Sequence, residues 1–548
     1  MRLRSFGFAL LAAVLERVSA DIEPLSSLPI VNRDISPDGY NRSSVLAGGT
    51  FPGPLIQALK GADFSVDVFN NLTDSTMDLP TSIHWHGIFQ RTTNFADGGA
   101  FVNQCPIIPS QRFSYQFSGF DQAGTFWYHS HFRAQYCDGL RGAFVIYDSD
   151  DPHRDLYDVD NEDTVITLAD WYHFPSLQAP LIPVSDSTLI NGKGRYPGGP
   201  SVSLAVVNVV PGKRYRLRLV SISCEPAFYF SIDGHQLTII EVDSVNHQPL
   251  PVDSLQIFPG QRYSVVLNAN QPIDNYWIRA VPSVGASQNF TGLTNLAVLR
   301  YRDAPLTNPS DPTENIPASV RPLKETDLHP LDLTPVPGDP VPGGADININ
   351  LVVSIDFSTF RFLVNNVSFE SPDVPVLLQI LNGAPPSQLL PKGSVYPVGG
   401  SYGESVSVEV SIPAGAPGGP VSVRSITELA TSVPGQLTLV LNQHPIHLHG
   451  HSFYVVRSAG NSTYNFDNPV IRDVVSTGDI GDNDNVTIRF VTDNPGPWFL
   501  HCHIDWHFEN GFAVVFAEDV PEVETKVEPP EAWGDLCIAY NDYKNQSE

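Results

Sequence analysis

The chain has 548 residues, enough for about three domains with large cores. It carries 31 Lys+Arg against 59 Asp+Glu, a formal charge of −28, which argues against nucleic acid and anionic membranes as partners. No stretch approaches the roughly 18 uninterrupted apolar residues that a membrane helix needs.

Residues 1–20, "MRLRSFGFALLAAVLERVSA", have an arginine-containing start, a short apolar run and small residues at the end. That is the form of a secretory signal cleaved after Ala20, and it predicts an extracellular protein. Cysteines pair in that setting, yet the chain has five. Cys105, Cys137, Cys224 and Cys537 can form two bridges in any of three pairings, which leaves Cys502 as a metal ligand or reactive thiol. Seven N-x-S/T sequons are candidate glycan sites: Asn41, Asn71, Asn289, Asn366, Asn461, Asn485 and Asn545.

From residue 21 onward the chain reads as all-β. Runs such as "FSVDVFN", "RFSYQFSG", "RYRLRLVSI", "RYSVVLNA", "SVSVEVSI" and "NVTIRFVTD" alternate apolar and polar residues between turn residues, as strands of stacked sandwiches or barrels do. Long amphipathic helices are not expected. The first block spans 21–151 and the second 152–310. A Pro-rich, charged stretch over 311–345 reads as an interdomain linker, and the third block spans 346–548. "GTFWYHSH" in the first block is echoed by "GPWFLHCH" in the third, which suggests a repeated unit. The second block has no such motif and reads as a spacer.

The chemistry sits in four histidine clusters: His84 and His86; His129 and His131; His444, His447 and His449; and His501, His503 and His507. In a strand, residues i and i+2 face the same side, so each His-x-His presents two imidazoles together. Two pairs from the first block and two from the third can meet across an interdomain seam, and eight imidazoles imply more than one ion. The same alternation turns Cys502 away from His501 and His503, toward a metal of its own. One cysteine with two histidines, here His507 and His444, is the blue-copper ligand set. Structural zinc favours closed sets richer in thiolates and fits less well. The dispersed His153, His173, His235, His247 and His329 lack ligand spacing. No methionine lies where a weak axial ligand would be needed. Phe512, ten residues past Cys502, is placed for a return strand to carry it over the metal or else to be a core aromatic.

The motifs "HWHGIFQRTTNFADGGAFVNQCPI", "GTFWYHSHFRAQYCDGLRGAF", "HPIHLHGH" and "GPWFLHCHIDWHFENGF" resemble the four copper signatures of fungal laccases, members of the multicopper oxidase family. "LINGKGRYPGG" and "RLVSISCEPAF" extend the resemblance through the middle block. Phe95 and Ile446 depart from the usual Trp and Phe without removing a ligand. The resemblance implies three cupredoxin-like domains and four coppers. It assigns the type 1 copper to His444, Cys502 and His507 with Phe512 axial, and the type 2 copper to His84 and His447. The type 3 pair falls to His86, His129, His131, His449, His501 and His503. It pairs Cys105 with Cys537 and Cys137 with Cys224. It also implies a secreted monomer that oxidises phenols by one electron at the type 1 site, relays electrons through Cys502 and reduces O2 to water. Glu225 matches the acid that accepts the phenolic proton, against its reading as a solvated loop acid. Asp97 matches an acid that delivers protons or orients a ligand water at the trinuclear cluster. Asp505 reads as a helix or loop cap, and His451 as a buried hydrogen-bonding residue. A ferroxidase of the same family and a non-catalytic copper electron carrier are the competing functions.

Overall fold

The computed structural model describes residues 24–284, 294–309, 319–356, 358–400, 404–413, 443–478 and 484–547. The signal-like segment and Asn289 lie outside them. In the first block, one sheet orders Arg42–Ala47, Ser27–Ile35, Asp63–Asn71 and Arg112–Ser118. The other orders Gly53–Leu59, Arg141–Tyr147, Gly124–Ser130 and Ile83–His86. Val66 and Tyr115 from the first share a core with Trp85 and Phe144 from the second. The middle block has a seven-stranded and a five-stranded sheet, and the third block has two five-stranded sheets beside a small hairpin. This is the all-β, three-sandwich architecture expected of cupredoxin-like domains.

The echo between blocks is structural. In the first block Gly53–Leu59 runs parallel to Arg141–Tyr147, followed by antiparallel Gly124–Ser130 and Ile83–His86. In the third, Val395–Val398 runs parallel to Ala513–Glu518, followed by antiparallel Gly496–Cys502 and Pro445–Leu448. Register is preserved as well: His84 faces His129, and His447 faces His501. Period-2 geometry sends Trp85 inward and leaves His84 and His86 on the opposite face. In the third block it does the same for Ile446 and Leu448 against His447.

One expectation needs correction, the absence of long helices, and two other segments are packed more closely than their sequence pattern requires. The "RYRLRL" strand, Arg214–Ser221, has no solvent face: Arg216 pairs with Asp151 and Glu241, and Arg218 with Asp160. Its polar side looks across a domain boundary instead of into water. Long helices are not absent either. Glu531–Ser547 is a 17-residue helix whose Trp533, Leu536, Cys537 and Tyr540 follow the i, i+3, i+4, i+7 pattern of a buried helical stripe. Trp533 Nε1 donates to Asn103 O at 3.0 Å, and the Cys105–Cys537 disulfide ties this helix to the first block.

The Pro-rich stretch is also no free linker over its described part. Buried Arg489 donates to the carbonyls of Pro337 (2.9 Å), Asp339 (2.7 Å) and Val341 (2.5 Å), and its Nε donates to Glu409 at 2.8 Å. Arg489→Ala removes this anchor and strands the Glu409 carboxylate. The expected loss is about 3–5 kcal/mol, the usual result of breaking one side of a buried pair. Urea unfolding should show it as a lowered midpoint, and an unchanged midpoint would mean that the linker is held by its prolines alone.

Candidate metal centres

The four His-x-His pairs converge at the seam between the first and third blocks. His449 Nε2 lies 3.1 Å from His501 Nε2, and His86 Nδ1 lies 3.2 Å from His503 Nε2. His131 joins His449 and His501 in a set whose ligand atoms all lie within 4.8 Å, and His84 joins His447 and His449 in another. The outer nitrogens of several rings are occupied by the protein. His84 Nδ1 donates to Asp97 O at 2.8 Å, His129 Nδ1 to Ser130 O at 2.9 Å, and His447 Nδ1 to Asp473 O at 2.8 Å. His501 Nδ1 donates to Cys502 O at 2.9 Å. These bonds fix the tautomers and turn the remaining lone pairs inward.

Cys502 points the other way, as strand alternation requires. Its Sγ lies 3.6 Å from His444 Nδ1 and 3.7 Å from His507 Nδ1, and those two nitrogens are 3.2 Å apart. The Phe512 ring centre is 5.1 Å from that of His444, and Cys502 N donates to Phe512 O at 3.1 Å. Cys502, His444 and Phe512 are buried, whereas His507 is only half-buried and so is the member of the set that meets the outside.

Three multicopper oxidase families match residues 162–304, 30–151 and 370–522, together more than half of the chain. The chain belongs to the multicopper oxidase family. Among its relatives, Laccase-2 of Pleurotus ostreatus is 55% identical over 540 residues, covering 96% of this chain and 95% of that one. A laccase of Trametes hirsuta is 55% identical over 543 residues, covering 98% of each. The structure of a laccase from Botrytis aclada superposes with a TM-score of 0.76 at 31% identity, covering 95% of this chain and 94% of that one. The structure of Fet3p, a multicopper oxidase that functions in iron import, has a TM-score of 0.77 at 24% identity over 94% and 95%, a likeness of fold.

The cofactors of this multicopper oxidase are four copper ions, one type 1, one type 2 and two type 3. Its side chains fit them. His84 Nε2, His129 Nε2, His447 Nε2 and both ring nitrogens of His131 are buried without a hydrogen-bond partner. Unpaired acceptors at such depth are costly unless a cation uses them. Burial, reinforced by neighbouring histidines, holds His86, His129, His131, His447, His449, His503 and His507 well below the ordinary histidine value. Burial brings His444 and His501 down to about 3. Neutral imidazole is the metal-binding form. Burial also pushes the Cys502 thiol up, so the thiolate needs a bound cation to persist.

The supporting carboxylates have definite places. Asp97 is buried, and its Oδ2 accepts from His449 Nδ1 at 2.8 Å. Glu225 is buried, not a solvated loop acid, with Oε2 3.4 Å from Tyr172 Oη. Asp505 is the first residue of the helix Asp505–Glu509; Ile504 holds the cap position and no side chain caps that helix, so the capping role is not found. Burial, then Glu509, pushes the Asp505 carboxyl well above the usual range. His451 is a non-ligand in contact with protein: Nε2 is 2.9 Å from Glu518 Oε2, and Nδ1 is 3.0 Å from His449 O.

Sequence reading missed Phe362, whose ring stacks on Phe512 at 5.2 Å and lies 4.6 Å from His507. It arrives on the hairpin Val353–Asp356/Arg361–Val364, which carries no copper motif. It also missed Arg262 and Asp473, joined by hydrogen bonds of 2.6 Å from Nη1 to Oδ1 and from Nη2 to Oδ2 beside the histidine cluster.

Proposed function

We propose that the two centres perform laccase chemistry, the one-electron oxidation of phenols coupled to the four-electron reduction of O2 to water. The observation that carries this is the pairing of a Cys502–His444–His507 site with a separate eight-histidine cluster through one strand segment. His444, Cys502 and His507 hold the type 1 copper. His84 and His447 hold type 2, and His86, His129, His131, His449, His501 and His503 hold the type 3 pair. Copper held at these residues would supply one-electron acceptance from substrate at the Cys502 site and four-electron reduction of O2 at the histidine cluster, with all four electrons entering one at a time through Cys502.

The chain's own residues supply the rest. Half-buried His507 is the contact edge toward substrate. Cys502 lies between His501 and His503, so the path to the cluster is covalent, with neighbouring Cα atoms about 3.8 Å apart. The His501 Nδ1–H bond to Cys502 O adds a second link at 2.9 Å. Glu225 takes the phenolic proton, and Asp97 orients His84 and His449 and stands where protons reach the cluster. The signal-like start, the two disulfides and the exposed sequons at Asn41, Asn71, Asn366 and Asn545 support a secreted, glycosylated protein. The test is a copper count with visible and EPR spectra, then O2 uptake with a methoxyphenol and with Fe²⁺. Four coppers, a blue band and phenol-driven uptake are expected; uptake with Fe²⁺ alone would favour a ferroxidase.

Phe512, whose ring centre lies 5.1 Å from that of His444, would have no lone pair to offer a copper held by His444, Cys502 and His507. Phe512→Met should lower its potential, with each ~59 mV worth about a tenfold change in equilibrium constant. The swap is apolar and close in volume, so stability should fall by roughly 1.5 kcal/mol or less. Redox titration of the blue band decides. An unchanged potential at full copper content would make Phe512 core packing.

A further inference from the structure

We propose that Asp473, held by Arg262, is a positioning residue that selects which ring nitrogen of His86 meets copper and locks the three domains around the cluster. This rests on the ligand assignment above. Asp97 and Asp473 do matching work from opposite sides. The Asp97 carbonyl accepts from His84 Nδ1 at 2.8 Å while its carboxylate accepts from His449 Nδ1 at 2.8 Å. The Asp473 carbonyl accepts from His447 Nδ1 at 2.8 Å, and its Oδ1 lies 3.3 Å from His86 Nε2. Each aspartate therefore braces one histidine from the first block and one from the third. The match breaks at one atom: the ring held by Asp97's carboxylate presents Nε2, whereas the ring held by Asp473's presents Nδ1, 3.2 Å from His503 Nε2.

Arg262 belongs to the middle block, which the ligand motifs leave as a spacer. It grips Asp473 with both terminal nitrogens at 2.6 Å and donates from Nε to Thr125 O at 2.9 Å, on the strand that carries His129. A crossed partner pair reinforces it: Arg472 Nε donates to Asp243 Oδ2 at 3.0 Å. All four charged side chains are buried. Glycines at positive φ leave room for this contact. A Cβ on Gly87 (φ +91) would lie 2.7 Å from Arg262 Nη2, and one on Gly260 (φ +83) would lie 2.8 Å from His503 Cδ2 and 3.0 Å from His86 Cε1.

Asp473→Asn keeps the shape but can offer an N–H where His86 needs an acceptor. Copper titration of the metal-free variant, read by metal content and EPR, should show type 1 copper bound as in the parent. Copper at the histidine cluster should bind about 10–100-fold more weakly, the usual effect of losing an outer partner of a ligand. Arg262→Lys keeps the charge but loses the fork, so it should weaken the cluster in the same selective way; it carries the test if the Asn variant does not fold. Equal affinity at the cluster in the variants, or weakening of type 1 copper in step with it, would overturn the proposal. A parent protein that takes up fewer than four coppers would instead overturn the ligand assignment.

Discussion

Cys502→Ser should abolish the blue absorption and phenol oxidation together. The side chain is fully buried, and its Sγ is the third corner of a triangle with His444 Nδ1 and His507 Nδ1, at 3.6 and 3.7 Å. A serine hydroxyl is shorter, is not ionised at neutral pH and cannot form the copper–thiolate bond that gives the colour. It also opens the covalent path at the residue between His501 and His503. The cluster ligands are untouched, because His449 and His501 still meet within the third block and His86 and His503 still meet across the seam. The expected copper content is therefore three per chain, with type 2 and type 3 signals retained. A buried hydroxyl without a partner should cost the metal-free fold about 1–3 kcal/mol, too little to unfold it. Metal analysis, visible and EPR spectra and O2 uptake with a phenol measure all of this. Residual turnover with phenols would show that electrons reach the cluster by a route that does not pass through Cys502.

The site could be read from the chain because period-2 alternation is a local rule. It places His84 with His86 and His501 with His503, and it turns Cys502 to the other face. The spacing alone therefore separates a one-thiolate centre from a histidine cluster. What the sequence hides are contacts whose two halves carry no shared pattern. Arg262 and Asp473 are 211 residues apart, and each sits in an ordinary strand-like run. The arginines of "RYRLRL" look like a solvent face because alternation reports two environments without saying whether the polar one is water or a neighbouring domain. Apart from Glu225, which the motif "RLVSISCEPAF" carries, the middle block reads as a spacer for the same reason: its further contribution is Arg262 and Asp243, single residues outside any motif. Phe362 is hidden by its hairpin. The C-terminal helix is a different case, since Trp533, Leu536, Cys537 and Tyr540 have helical spacing that could have been recognised in advance.

Glu225→Ala should lower kcat/KM for a methoxyphenol by about 10²–10⁴-fold, or roughly 3–5 kcal/mol of transition-state stabilisation. The fold places Glu225 beside the type 1 site by three restraints that do not involve its own carboxylate. The Cys137–Cys224 disulfide fixes the preceding residue, Asp505 N donates to Cys224 O at 3.0 Å from the helix that carries His507, and Glu225 N donates to Asp170 Oδ2 at 3.1 Å. On the side-chain side, Trp506 Nε1 donates to Tyr172 Oη at 3.1 Å, and that oxygen lies 3.4 Å from Glu225 Oε2. Tyr172 Oη thus links the carboxylate to Trp506, the residue preceding His507, and the expectation is that a phenol giving its electron to His507 releases its proton to Glu225. Because the loop is anchored through backbone and disulfide, alanine should leave the pocket in place. The deciding comparison is a one-electron donor with no proton to lose, whose rate should change by less than about threefold, while the phenol suffers the full general-base loss. Glu225→Gln, which keeps the size and removes the base, should behave like alanine toward phenols. Equal losses for both donors, with the blue band intact, would show that Glu225 shapes the pocket and takes no proton.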